Sequence, residues 1–138
     1  MKIFITGVTG FVGSNIARYL SYENHQVFGS VSKDWKLNNK PKEINQLFLI
    51  KLDKSFDKNI FNNMDVIIHC AYDTSVNSIK RNIRGTIAIS KAAKNKQIFI
   101  SSFSAHNKNA TDYGMVKTTL EKYFLEEGHI IIRPGLVV

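Results

Sequence analysis

Lys2-Ile3-Phe4-Ile5-Thr6-Gly7-Val8-Thr9-Gly10-Phe11-Val12-Gly13 begins as a strand and ends as the opening of a helix. Ile3-Phe4-Ile5 is short, apolar and β-branched without polar alternation, the pattern of a strand buried on both faces. Three glycines follow at three-residue steps. Gly7 permits a tight exit from the strand, Gly10 lets the backbone approach a pyrophosphate, and Gly13 lets the helix pack closely on the strand. A helix opening there points free N–H groups and its positive end at an anion. The spacing is G-x-x-G-x-x-G rather than G-x-G-x-x-G. In this setting it reads as nucleotide binding.

Outward from this stretch, three similar bursts recur: Val66-Ile67-Ile68, Ile98-Phe99-Ile100 and Ile130-Ile131-Ile132. Gln26 to Val31 and Leu47 to Lys51 are weaker strand candidates. Helical periodicity fills the intervals. Ser14 to Glu23 carries Ile16, Ala17 and Leu20; Val76 to Lys94 carries Ile79, Ile83 and Ile87; Tyr113 to Glu127 carries Val116, Leu120 and Phe124. Strands alternating with helices predict one doubly wound α/β domain over 1–138, a parallel sheet of about six strands with helices on both faces. Lysine- and asparagine-rich Ser32 to Gln46, with Pro41 inside it, is the loosest stretch. Trp35 there is expected to pack at a surface or edge.

The 138 residues are 43% hydrophobic and 22% charged, an ordinary globular balance that excludes global disorder. A lone Cys70 excludes an internal disulfide framework. Lys and Arg outnumber Asp and Glu by 19 to 11, giving +8. The lysines are spread along the chain, with no dense basic run. They read as a solvated surface that favours phosphorylated ligands, not as a nucleic-acid interface. No apolar run reaches membrane-spanning length, and Gly7 and Gly10 break the start too early for a signal peptide. A soluble, cytoplasmic protein without membrane partners is the expectation. His69 and Cys70 are adjacent, which is poor metal-ligand spacing, so no metal is expected. His106 follows Ser102 closely but lacks an acidic orienting partner, so no hydrolytic triad is read.

An ordered series of motifs resembles the extended short-chain dehydrogenase/reductase family, in its NAD-dependent epimerase/dehydratase branch. It comprises Ile5 to Gly13, Leu52-Asp53, His69-Cys70-Ala71, Asn82-Ile83-Arg84-Gly85-Thr86, Ser101-Ser102, Tyr113-Gly114-Met115-Val116-Lys117 and Arg133-Pro134-Gly135. The resemblance runs from residue 2 to residue 138. It implies a Rossmann fold and a nicotinamide cofactor contacted by Gly7, Thr9, Gly10, Phe11, Val12 and Gly13. Ser32, Lys33, Asp53, Cys70, Ala71, Tyr72, Tyr113, Lys117 and Pro134 complete that implied set. Many members of the branch modify nucleotide sugars, so a nucleotide sugar or related hydroxyl or carbonyl compound is the implied substrate.

In NAD-preferring members the second strand ends in an acidic residue that binds the adenosine ribose. Here that place falls on Val31, followed by Ser32 and Lys33, with Asp34 three places late. A hydroxyl and an ammonium would attract a 2′-phosphate that a carboxylate would repel. The expected cofactor is NADP or NAD, with NADP slightly preferred.

Tyr113 and Lys117 are four apart and share one face of a helix. The resemblance makes Tyr113 the general acid/base during hydride transfer. It makes Lys117 the residue that lowers the Tyr pKa and holds the nicotinamide ribose. Ser102, preferred over Ser101, would bond the reacting oxygen. Asn82 would help hold the lysine, directly or through water.

The chain departs from the family in two places. The step from Ser102 to Tyr113 is short, and the chain stops at Val138, where a C-terminal substrate domain follows in full-length relatives. The expectation is therefore a cofactor-binding half with its catalytic residues present. Apolar Leu136, Val137 and Val138 and an exposed edge strand would favour a homo-oligomer or another partner. The alternative is a dinucleotide-binding or interaction module without turnover.

Overall fold

The computed structural model describes residues 1–106 and 111–135. The elements run β1 (Lys2–Thr6), α1 (Phe11–Tyr22), β2 (Gln26–Val31), β3 (Gln46–Leu49), β4 (Val66–His69), α2 (Ile79–Ala92), β5 (Lys96–Ile100), α3 (Asp112–Glu126) and β6 (Ile130–Ile132). Short 3-10 turns cover Asp34–Asn39, Lys58–Phe61 and Phe103–His106. All five strand pairings are parallel, in the order β3-β2-β1-β4-β5-β6. The chain leaves β1 toward β2 on one side and later returns to β4 on the other. That reversal opens a crevice beyond the carboxyl ends of β1 and β4.

Each apolar burst serves two layers because successive strand residues face opposite ways. Ile3 and Ile5 join Val27, Ile68, Ile100 and Ala17 in a core beneath α1, whose Val12, Ile16 and Leu20 pack on it. Phe4 points to the other face, with Ile67, Phe61 and Ile89 of α2. Phe99 continues that face under α3, with Val116, Leu120 and Phe124. The Phe99 and Phe124 rings are stacked with centroids 4.8 Å apart. The doubly wound sheet expected from the sequence is the fold observed.

Several boundaries shift from the sequence reading, α1 starting at Phe11 rather than Ser14 among them, and two of the shifts have a clear local cause. α2 begins at Ile79 rather than Val76 because Asn77 takes a left-handed φ of 59° and the chain before it is folded into a hydrogen-bonded loop. β3 spans Gln46–Leu49 rather than Leu47 to Lys51, because Asn45 N–H already bonds Val27 O and fixes the register Gln46 to Phe28. The expected loose stretch carries the Asp34–Asn39 turn. Leu136, Val137 and Val138 lie outside the described residues.

Candidate functional site

The glycine turn leaves little room for side chains. Gly7 has φ +64°, and a Cβ there would lie 2.8 Å from the Ala71 Cα. Gly10 N–H bonds Gly7 O at 3.0 Å, closing the turn into α1. Gly13 is buried against the Gly7-Val8 backbone. α1 has no side-chain N-cap and no acidic residue in its first turn, so its first N–H groups are not taken by a side chain. Thr6 Oγ1 accepts the Cys70 and Ala71 N–H groups, both at 3.1 Å, and so ties the ends of β1 and β4 together.

Two cavities meet beyond these strand ends. The first, about 690 Å³, runs from Gly7, Thr9 and Gly10 over Ser32 and Lys33 to the loop after β3. The second, about 530 Å³, holds Ser101, Ser102, Tyr113, Lys117 and Pro134, with Val12 on its floor. Cys70 and Tyr72 line both, so the cavities form one cleft. Ala71 lines the first cavity only. Burial pushes the Cys70 thiol up to about 12 and keeps it neutral.

Three of the expected cofactor residues do not line this cleft. Phe11 is exposed at the head of α1 and Gly13 packs behind the turn. Asp53 is exposed with a left-handed φ of 64°, while its neighbours Leu52 and Lys54 line the first cavity. Gly85 explains that bend: a Cβ there would sit 2.7 Å from the Asp53 nitrogen. Conversely, Lys36, Lys51, Lys54 and Arg81 line the first cavity and were not singled out from the sequence. Their place just after β2 and β3, or at the start of α2, was the available signal.

Lys117 is 4% exposed, yet no carboxylate is bonded to its ammonium among the described residues. Its Nζ donates to Ile100 O at 2.9 Å. The rings of Phe99, Tyr113 and Tyr72 surround it, with centroids 4.9, 5.4 and 5.8 Å away. These rings supply weak cation–π attraction, and the Glu121 carboxylate one turn on adds a longer-range one. Burial lowers its pKa to about 8. Tyr113 sits in the first turn of α3, set by Thr111, whose Oγ1 accepts the Gly114 N–H at 2.9 Å. Burial raises the Tyr113 pKa above its ordinary value and a hydrogen bond with Ser102 opposes that rise. Its ring meets Tyr72 edge-on at 4.8 Å. Ser101 Oγ is buried at the same cavity without a hydrogen-bond partner.

Asn82 is buried one layer behind the cleft. Its Oδ1 accepts the Asp73 N–H at 2.7 Å, and its Nδ2 donates to Asp73 O and Ser78 O at 2.9 and 3.0 Å. The amide therefore clamps the loop after β4 rather than bonding Lys117 directly. Arg81 reinforces that loop through Asp73 Oδ2 at 2.7 Å. Beyond Pro134, Arg133 makes two 2.6 Å bonds to buried Glu121, fastening the end of β6 to α3 one turn beyond Lys117.

No helix among the described residues is long and apolar enough to cross a membrane. A family model described as "NAD dependent epimerase/dehydratase family" matches residues 3–127. Among solved structures, a UDP-glucose 4-epimerase from Thermotoga maritima, crystallised with UDP-glucose, aligns with a TM-score of 0.73 at 22% identity. It covers 96% of this chain and 54% of that one. A UDP-glucose 4-epimerase from Bifidobacterium longum, in complex with NAD+ and UDP, gives 0.76 at 18%, covering 96% and 52%. An oxidoreductase from Lactococcus lactis gives 0.74 at 24%, covering 100% and 70%. At these identities the likeness is one of fold. The chain spans about half the length of the two epimerases.

Proposed function

This chain belongs to the NAD dependent epimerase/dehydratase family, and from that premise we propose that it binds a nicotinamide dinucleotide, NADP(H) ahead of NAD(H), for redox chemistry at a hydroxyl or carbonyl group. The observation that carries the reading is the joined cleft. A glycine turn suited to a pyrophosphate opens into a cavity holding Ser102, Tyr113 and Lys117. The residues fit the cofactor: the turn leaves no room for a side chain at Gly7, and the second cavity carries a partnerless buried hydroxyl at Ser101.

When bound, the nicotinamide would accept or return the hydride. The chain's own groups would handle the proton. The Tyr113 phenol would take it from the substrate hydroxyl or give it back, with Ser102 Oγ holding the same oxygen. Lys117, fixed by Ile100 O beside the Tyr113 ring, would stabilise the phenolate by its charge.

The preference for NADP rests on charge. Val31 stands where β2 ends, and Lys33, Lys51 and Lys54 line the adenosine half of the cleft. The one carboxylate lining it, Asp73, is already paired with Arg81. Nucleotide sugars, or related hydroxyl and carbonyl compounds, are the substrate class proposed, in line with the branch. Fluorescence titration with NADPH, followed by assay on a panel of such compounds with wild type and Tyr113→Phe, tests the reading. Tyr113-dependent turnover supports it; turnover indifferent to Tyr113→Phe contradicts the assignment.

A further inference from the structure

Lys36 comes from the segment with the weakest pattern in the sequence, yet its side chain reaches the glycine turn. The Asp34–Asn39 turn is closed by Lys36 N–H on Lys33 O at 3.1 Å and by Asn39 Nδ2 on Trp35 O at 3.3 Å. From it the half-buried Lys36 side chain crosses the cleft, and its Nζ donates to Thr9 Oγ1 at 3.4 Å. Thr9 lies inside the glycine turn. Among the described residues, no other lysine ammonium bonds that turn, and no ion pair engages Lys36. Its charge is thus held at the phosphate-facing end of the cleft by a long contact to a neutral hydroxyl. An ammonium has three donors, and Thr9 uses one.

We propose that Lys36 is a pyrophosphate-binding residue, exchanging Thr9 for the diphosphate of the ligand and drawing the Asp34–Asn39 turn against it. The proposal rests on the reading that this cleft holds a dinucleotide. It separates Lys36 from Lys33, Lys51 and Lys54, which are argued for the 2′-phosphate. Lys36 would act on the group that NAD and NADP share. Trp35 is the chain's single tryptophan. It is 61% exposed, and its ring lies 5.6 Å from the Lys36 Nζ. Its fluorescence should report the exchange.

The test titrates wild type, Lys36→Met and Lys36→Arg with NADPH, NADH, ADP and adenosine, following Trp35 emission and calorimetric heat. In wild type, ADP should change Trp35 emission and adenosine should not. Lys36→Met, which keeps an apolar stem, should weaken NADPH, NADH and ADP each by about 10-fold, the loss of one charge-assisted hydrogen bond. It should leave adenosine unchanged, and Lys36→Arg should recover most of the loss. Weakening of NADPH alone would reassign Lys36 to the 2′-phosphate and overturn the proposal. Unchanged affinities in a variant of wild-type melting temperature would overturn it as well. If folded wild type binds no dinucleotide, the underlying reading fails and this proposal fails with it. That result differs from a wild type that binds and a Lys36→Met that binds equally.

Discussion

The Lys117 ammonium donates to the Ile100 carbonyl at 2.9 Å, so α3 is fastened to the end of β5, two residues before Ser102. Distance and burial turn a residue of α3 into part of the β5 terminus. The consequence is that Lys117→Ala should fail twice. It should abolish Tyr113-dependent turnover and weaken cofactor binding, whereas Tyr113→Phe should abolish turnover and leave cofactor affinity within about twofold. Steady-state kinetics beside direct binding separates the two variants. Equal affinity losses in both would contradict the division of roles.

Cofactor preference should respond to charge at the adenosine end. Lys33→Ala should narrow the advantage of NADPH over NADH by about 1–3 kcal/mol if one charged hydrogen bond is lost. Lys51→Ala and Lys54→Ala, which change the other wall of the same cavity, should act in the same direction and leave NADH affinity nearly unchanged. The NADPH advantage should also shrink as salt rises, because these lysines border solvent. Equal affinities for both cofactors in wild type would remove the preference.

Acid sensitivity should trace to His69. Burial lowers its pKa to about 4, against an ordinary value of 6.5. Its Nε2 bonds Gln97 Oε1 at 2.8 Å and its Nδ1 is buried without a partner. The folded chain thus binds fewer protons here than the unfolded chain between pH 6.5 and 4. Stability is full above pH 6.5 and falls as pH drops through that window, by roughly 3 kcal/mol in all at ~1.4 kcal/mol per unit. Urea unfolding midpoints at pH 7.5, 5.5 and 4.5 measure it. His69→Gln should flatten the dependence.

The β6 edge should associate. Among the described residues β6 pairs only with β5, and Ile130 and Ile132 are 57% and 45% exposed on it. Light scattering should show concentration-dependent self-association of the 138-residue chain. Ile130→Lys with Ile132→Thr should reduce it by breaking the apolar edge. A clean wild-type monomer at high concentration would contradict this.

Much of this was legible in the residues. Ile3-Phe4-Ile5 and Ile98-Phe99-Ile100 announce strands buried on both sides because neither can hide a polar face. The Gly7, Gly10 and Gly13 steps mark the turn because a Cβ at Gly7 meets the backbone of Ala71. Tyr113 and Lys117 come together through helical spacing alone. What stayed hidden depended on long-range geometry. Lys36 meets Thr9 across 27 residues, and Asp53 turns from the cleft because Gly85 of a distant helix admits its backbone. The Asn82 amide has its partners in a loop nine residues upstream, so its motif marked a structural role without saying which segment it holds.

The central claim is that the joined cleft binds a nicotinamide dinucleotide, and calorimetric titration of the folded chain with NADP+, NADPH, NAD+ and NADH tests it most directly. The account predicts saturable one-to-one binding, tightest for the NADP forms and lost in Gly7→Val. Absence of binding by all four, in protein whose circular dichroism and melting show a folded α/β domain, would contradict it.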